Sequence, residues 1–140
     1  MIRERPPRLS VVALLEAEGL PASDLTEAHL EHFFFTGSDG APSALVGLEI
    51  YDEAALLRSL VVSAAARTQG LGSALLLHAE EYAAVHRVRS LYLLTTTAEA
   101  YFGHRGYRRI DRSQAPPFIQ STREFASLCP SSSAFMIKRL

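Results

Sequence analysis

The segment 54–95 constrains the fold most, because it predicts a strand, a helix and a second strand in direct succession. Residues 54–62 form an apolar run that Arg58 interrupts, which is typical of a strand buried on both faces. Apolar residues recur every three to four positions over 71–86 and indicate an amphipathic helix, and 90–95 is again an apolar strand. A helix that links two such strands makes them parallel neighbours with a right-handed connection. The chain is therefore expected to be mixed α/β.

The flanking residues add elements of both types. Ser23 or Asp24 can cap a second helix, with Glu27 completing a pair that resembles a capping box. A glycine-containing turn at 37–40 separates two β-rich stretches and indicates a hairpin, whereas Ala-Pro-Pro at 115–117 predicts a loop. The second helix is expected to end near residue 32. The other predicted helices are 9–18 and 98–104, and the other predicted strands are 33–36, 43–51, 107–112 and 134–140.

Composition predicts a single domain over residues 1–140. Of these residues 48% are hydrophobic and 21% are charged, and a chain of this length can bury an apolar core without disulfides. The one cysteine, Cys129, excludes an intramolecular disulfide, and no Cys/His spacing indicates a structural zinc site, so no metal is predicted. No secretion signal and no apolar run of roughly 18 residues is visible, which predicts a cytoplasmic protein without a membrane partner.

Charge is distributed unevenly along the chain, although the formal net charge is -1. Residues 1–55 hold ten acidic and three basic side chains, and residues 56–140 hold five acidic and eleven basic ones. A basic second half suits an anionic ligand. Because the arginines are dispersed and no aromatic residues alternate with them, nucleic acid is not a predicted partner. The sequence does not determine the oligomeric state, and a homodimer is one of the alternatives.

Two glycines at the junction between strand 54–62 and the following helix form the most informative motif. The junction consists of Arg67, Thr68, Gln69, Gly70, Leu71, Gly72 and Ser73. Glycines without Cβ atoms let a diphosphate approach the backbone, and the first N–H groups of the helix point toward it. The alternative is a turn that needs glycine only for its backbone angles. A Walker loop is excluded because no Gly-Lys-Ser/Thr follows, and a dinucleotide fingerprint lacks its third glycine.

In this setting the Arg-x-x-Gly-x-Gly motif resembles that of the GNAT superfamily of acetyl-CoA-dependent N-acetyltransferases. The resemblance to this family covers nearly the whole chain. Segment 98–107 is similar to the family's helix and Gly-aromatic turn. The resemblance implies a central twisted mixed sheet with splayed parallel strands and flanking helices. It also implies acetyl-CoA as cosubstrate, with its pyrophosphate on residues 67–73 and its pantetheine arm where strands 54–62 and 90–95 splay apart. The further cofactor-binding residues implied are Leu60, Val61, Val62 and Phe102.

Shorter segments resemble the acetyltransferases associated with arsenic-resistance operons. These segments are 57–62, 91–98, 121–125 and 128–131. The resemblance implies a small, amino-acid-like acceptor, which includes arsenic-containing and phosphinothricin-like amino acids.

Two positions depart from the common family pattern. The tyrosine that often protonates the leaving thiolate corresponds to Phe102, so the usual general acid is absent, and Tyr101 is one residue away. The usual asparagine corresponds to Thr95, whose hydroxyl can still donate or accept a hydrogen bond to the substrate. Cofactor binding tolerates the second change more readily than acid catalysis tolerates the first.

Two charged residues are candidates for chemistry at the acceptor. Glu49 is the best candidate for the general base that deprotonates the acceptor ammonium, and the alternative is an ordinary surface glutamate on an edge strand. If strand 54–62 alternates regularly, Arg58 faces the same way as Leu60 and Val62 and can clasp a carboxylate, phosphinate or arsinate. The alternative is an internal ion pair between Arg58 and Glu49, and the two arrangements can coexist when the site is empty.

The other notable residues are expected to have structural roles rather than functional ones. His78 and His86 are expected at the surface or partly packed, and Cys129 as a buried free cysteine. The run 33–35 of three phenylalanines predicts core positions with one outward ring, and Thr97 is expected to cap the helix that follows it.

Two classes of function follow from these residues. The first is an N-acetyltransferase for a small amine. The second is an acetyl-CoA-binding sensor or interaction module without efficient turnover, which the missing tyrosine favours. The enzyme is the preferred interpretation, because water or another hydroxyl can assist departure of the thiolate and because Glu49 and Arg58 supply acceptor-side chemistry that a passive binder does not need. A peptide or protein N-terminus is the alternative acceptor.

Overall fold

The structure, a computed structural model, describes residues 1–140. The helices α1 to α5 are Arg8–Ala17, Glu27–Leu30, Leu71–Val85, Glu99–Gly103 and Pro117–Gln120. The strands β1 to β7 are Arg3–Glu4, Phe33–Gly37, Pro42–Tyr51, Ala54–Val62, Ser90–Thr95, Arg108–Arg109 and Ala134–Arg139. The strands form one mixed sheet in the order β1-β2-β3-β4-β5-β7-β6. The predicted mixed α/β class is confirmed.

The chain divides into two compact units. The first comprises Met1–Glu49 and Leu57–Tyr82, and the second comprises Ile50–Leu56 and Ala83–Leu140. The expectation of a single domain over 1–140 stays a prediction. No helix in the structure combines the length and the apolar character that crossing a membrane requires.

The core of the first unit lies between α1, α2 and the sheet. Phe33 and Phe35 pack in a cluster with residues of α1, whereas the ring of Phe34 lies 4.8 Å from those of His78 and Tyr82 on α3. All three phenylalanines are buried, so the prediction of one outward ring is wrong. The reason is that helices cover both faces of β2, so that neither set of alternating side chains meets solvent.

The second helix begins later than predicted. Thr26 is its N-cap, and the side chain of Thr26 accepts from the N–H of His29 while the imidazole of His29 accepts from the N–H of Thr26. This is a reciprocal capping box with histidine as its third helical residue. The predicted cap at Ser23 or Asp24 is therefore wrong, because the carboxylate of Asp24 bonds instead to a buried arginine.

The second unit contains the parallel pair that the helical crossover predicts. β4 pairs with β5 in parallel over Ala54–Leu56, which confirms that prediction, and β7 pairs antiparallel with both β5 and β6. The strand predicted over 107–112 is only Arg108–Arg109, because the side chain of Asp111 accepts from the N–H of Ser113 and starts a short 3-10 helix.

Three smaller predictions in the second unit need correction. Pro117 opens α5, which fits its fixed φ and missing N–H, so the predicted loop ends at Pro116. Cys129 is half-buried rather than buried. Thr97 does not cap α4, whose N-cap is Ala98 without a side-chain bond.

Candidate acetyl-transfer site

The glycine loop that precedes α3 is an exposed, curled segment. Thr68 and Gly70 both have left-handed backbones, with φ values of +71° and +75°. A left-handed conformation costs a non-glycine residue about 1–2 kcal/mol, so Thr68 stores strain in a loop at the surface. The carbonyl of Gly70 accepts the first helical bond, from the N–H of Ala74 at 3.1 Å. The amides of the first turn, from Leu71 onward, therefore point out of the helix toward the loop.

The side chains of the loop leave its backbone accessible. Arg67, Thr68 and Gln69 are exposed, and a Cβ built on Gly70 meets no atom within 4 Å. Arg67 forms an ion pair with Glu18, at the end of α1. An exposed row of amides at a helix N-terminus binds phosphate well, since the helix dipole favours negative charge there.

β4 leads into this loop and is irregular at its centre. Ser59 has φ +62°, which breaks the regular alternation of side chains along the strand. Val61 is buried in the core of the first unit, whereas Leu60 and Val62 are half-buried. The prediction that Arg58 shares a face with Leu60 and Val62 assumed regular alternation, and that assumption is wrong at Ser59.

Arg58 lies at the centre of a buried ion cluster. Its Nη1 donates to Oδ2 of Asp24 at 2.5 Å and to Oε2 of Glu49 at 2.8 Å, and its Nη2 donates to Oδ1 of Asp24 at 2.9 Å. The side chain of Arg58 has no solvent exposure, and Glu49 is only 7% exposed. The internal ion pair left open by the sequence is thus the observed arrangement, and Glu49 is not a surface residue.

Asp24 is the strongest partner of Arg58 by geometry. Burial opposes ionisation of Asp24, but the hydrogen bond and positive charge of Arg58, together with a backbone hydrogen bond and His29, outweigh it, so the pKa of the Asp24 carboxyl lies below its ordinary value. The pair is bidentate, which fixes the plane of the guanidinium. Asp24 thereby sets the direction in which Arg58 meets Glu49.

His29 is the second functional candidate that sequence reasoning missed. The donor atoms of Asp24, His29 and Glu49 lie within 4.8 Å of one another, a spacing that could hold a metal ion. The guanidinium of Arg58 already bridges both carboxylates and supplies the positive charge that they require. No local sequence signal indicates a functional role for Asp24 or His29. Asp24 lies in a loop and His29 in the short helix α2, and both are distant from Arg58 along the chain.

The second unit holds Thr95 and Phe102. The hydroxyl of Thr95 accepts from the N–H of Ala98 at 3.0 Å, so it closes the turn into α4. Phe102 is buried, with its ring 5.6 Å from that of Tyr107. The neighbouring Tyr101 lies under the guanidinium of Arg105, at 3.9 Å. Glu49, Arg58 and residues 67–73 thus belong to the first unit, whereas Thr95 and Phe102 belong to the second.

Comparison with known proteins decides the family. The model of the acetyltransferase (GNAT) family matches residues 5–110. The chain belongs to this GNAT family. Its seven-stranded mixed sheet with flanking helices is the GNAT fold. Comparison with curated proteins found no match.

Solved structures share the GNAT fold over the full length of the chain. N-acetylglutamate synthase from Neisseria gonorrhoeae, complexed with coenzyme A and N-acetyl-glutamate, superposes with a TM-score of 0.83 at 22% identity, covering 100% of this chain and 35% of the synthase. The chain therefore spans about a third of that protein. Rv2747 from Mycobacterium tuberculosis, in complex with CoA, has a TM-score of 0.79 at 16% identity, covering 100% of this chain and 99% of Rv2747.

A third GNAT structure is similar at lower identity. PaiA N-acetyltransferase from Thermoplasma acidophilum, in complex with coenzyme A, has a TM-score of 0.66 at 15% identity, covering 100% of this chain and 98% of that protein. At these identities the three likenesses show the fold.

Proposed function

We propose that this chain transfers the acetyl group of acetyl-CoA to the amine of a small, amino-acid-like acceptor. The observation that carries the proposal is the exposed, curled loop at the start of α3, with its left-handed Thr68 and Gly70. In a chain of the GNAT family, this loop provides the amides that a pyrophosphate requires.

The proposed cofactor site extends from the loop along β4 in the first unit. Residues 67–73 would hold the pyrophosphate, and the backbone of Leu60, Val61 and Val62 would pair with the pantetheine arm. Phe102 belongs to the second unit, and its predicted role in cofactor binding stays a prediction. All three structural neighbours described above were crystallised with coenzyme A, which supports this assignment.

Glu49 is the proposed general base. It would take a proton from the acceptor ammonium, after which the neutral nitrogen attacks the thioester carbon. The new N–C bond forms as the C–S bond breaks, the nitrogen loses its second proton to water, and the CoA thiolate leaves. Phe102 carries no hydroxyl, so water or another hydroxyl must protonate the thiolate.

Replacement of the base is the direct test of this role. We expect Glu49→Gln to lower kcat by about 100-fold or more, because general bases contribute at least that much. The affinity for acetyl-CoA should not change, and the loss of kcat should shrink at high pH, where the amine is already neutral. Glu53→Gln, in the exposed turn after β3, is the matched control. A variant that stays equally impaired well above the pKa of the amine would show that Glu49 is structural.

Arg58 has two alternative roles, to clasp an acidic group of the acceptor or to brace Glu49, and a substitution distinguishes them. The clasp predicted for Arg58 stays a prediction, and its bonds to Asp24 and Glu49 favour the alternative that it braces the base. Arg58→Lys should then impair acidic and non-acidic acceptors equally and lower the Tm, because lysine cannot reproduce the bidentate bond. The measurement is kcat/KM for an amino acid and its amide in both proteins. A rise in KM confined to the acid would favour the clasp.

The acceptor is best identified with a panel of amines, read by thiol release from acetyl-CoA. The panel contains amino acids, their amides, glufosinate-like and arsenic-containing amino acids, and short peptides. The arsenic-resistance resemblance and the N-acetyl-glutamate bound by the Neisseria synthase both favour amino-acid acceptors. Turnover of peptides alone would move the proposal to N-terminal acetylation.

A second candidate function is an acetyl-CoA-binding sensor without efficient turnover. The buried phenylalanine at position 102, where an acid tyrosine is usual, favours it. Binding of acetyl-CoA without thiol release from any amine in the panel would identify this function.

A further inference from the structure

The imidazole of His29 lies beside the carboxylate of the proposed base. Its Nε2 is 3.9 Å from Oε1 of Glu49, and the side chain of His29 is 25% exposed against 6% for Glu49. The other oxygen of Glu49, Oε2, accepts from Arg58. Groups from two different elements therefore face the two oxygens of one carboxylate.

The helix cap determines which nitrogen of His29 carries the proton. The backbone N–H of Thr26 donates to Nδ1 of His29 at 3.0 Å. A backbone amide can only donate, so Nδ1 must present its lone pair. The proton of the neutral ring is then on Nε2, the nitrogen that faces Glu49.

We propose that His29 is a positioning residue for Glu49, acting through a donor N–H whose tautomer the α2 cap fixes. This inference rests on the proposed function, in which Glu49 is the base. Arg58 holds Oε2 from the buried side, and Nε2–H of His29 attracts Oε1 from the side nearer to solvent. Arg58 fixes Oε2, and the attraction of the Nε2–H group to Oε1 across 3.9 Å favours one rotation of the carboxylate, so its lone pairs meet the acceptor ammonium in that orientation.

Two substitutions separate this role from simple helix capping. Glutamine and glutamate are both the usual partners of threonine in a capping box, so His29→Gln and His29→Glu each keep an acceptor for the N–H of Thr26. Only glutamine also keeps an N–H donor for Glu49. The two variants should unfold at similar denaturant concentrations and bind acetyl-CoA with unchanged affinity.

The expected result is a difference in turnover between the two variants. With the best acceptor of the amine panel, His29→Gln should keep kcat within a few-fold, and His29→Glu should lose about 10- to 100-fold, as misplaced catalytic groups do. Equal kcat values for the two variants, whether both high or both low, overturn the proposal. So does a glutamate variant that is faster than the glutamine variant.

A measurement on the resting protein does not depend on turnover. In wild type the ¹⁵N shifts of the neutral His29 ring should show the proton on Nε2, because the N–H of Thr26 donates to Nδ1. A neutral ring that carries its proton on Nδ1 overturns the proposal. Absence of acetyl transfer in wild type with every amine would instead refute the proposed function and leave this tautomer measurable.

Discussion

Gly70→Asp is expected to lower the affinity for acetyl-CoA by about 100-fold or more. The substitution places a carboxylate in the loop where the pyrophosphate is proposed to bind, and like charges in contact cost several kcal/mol. The Cβ itself meets no atom within 4 Å, so the protein has room for the new side chain. The left-handed φ of +75° should cost about 1–2 kcal/mol of unfolding free energy. Calorimetry with acetyl-CoA and denaturant unfolding measure the two effects.

Gly19→Asp is the matched control for this substitution. Gly19 also has φ +75° and no atom within 4 Å of an added Cβ. It follows Glu18, the partner of Arg67, so the control places its charge near the loop without placing it in the loop. Gly19→Asp should lose similar stability and keep its affinity. If Gly70→Asp binds acetyl-CoA as tightly as the control, the cofactor assignment is wrong.

Arg58→Met is expected to lower the free energy of unfolding by about 3–5 kcal/mol at neutral pH. Removal of one partner from a buried ion pair leaves the opposite charge unpaired, and here two carboxylates lose their shared cation. Arg109→Met is the control, because Arg109 forms an exposed pair with Glu99 at 3.3 Å. A surface pair contributes at most about 1 kcal/mol. Equal losses in the two variants would show that the buried cluster does not stabilise the fold.

The pH dependence of this loss gives a second, independent test. In wild type the pKa of Asp24 is lowered, so its contribution to stability is present above the ordinary value of 3.8 and is lost only as the pH falls through the still lower folded value. Without Arg58, burial remains the largest influence on Asp24 and is opposed only by a backbone hydrogen bond and His29, so we expect the pKa of Asp24 to rise. The stability of Arg58→Met should therefore fall as the pH rises from the ordinary value of 3.8 toward neutral, whereas the contribution of Asp24 to wild-type stability stays constant over this range. Denaturant unfolding across this range measures both slopes.

Elements with a strong local pattern were predictable from the sequence. The strand 54–62, the helix from Leu71 and the parallel strand Ser90–Thr95 follow from apolar runs and periodicity over neighbouring residues. The short strand Arg108–Arg109 was overestimated, since the turn chemistry of Asp111 outweighs its β-rich surroundings. The insertion of β7 between β5 and β6 was not predictable, because pairing partners far apart in the chain leave no local signal.

The candidate site likewise has features that the sequence predicts and features that only the tertiary structure reveals. The sequence by itself determined the glycine loop, its place between a buried strand and a helix, and the need of Arg58 for a strong partner, because each depends on residue types that lie close together in the chain. Only the tertiary structure decided that Asp24 is this partner, that Thr26 therefore caps α2 in its place, and that His29 faces Glu49. The physical reason is that a buried charge selects its partner by distance in space, and Asp24 lies 34 positions from Arg58 along the chain.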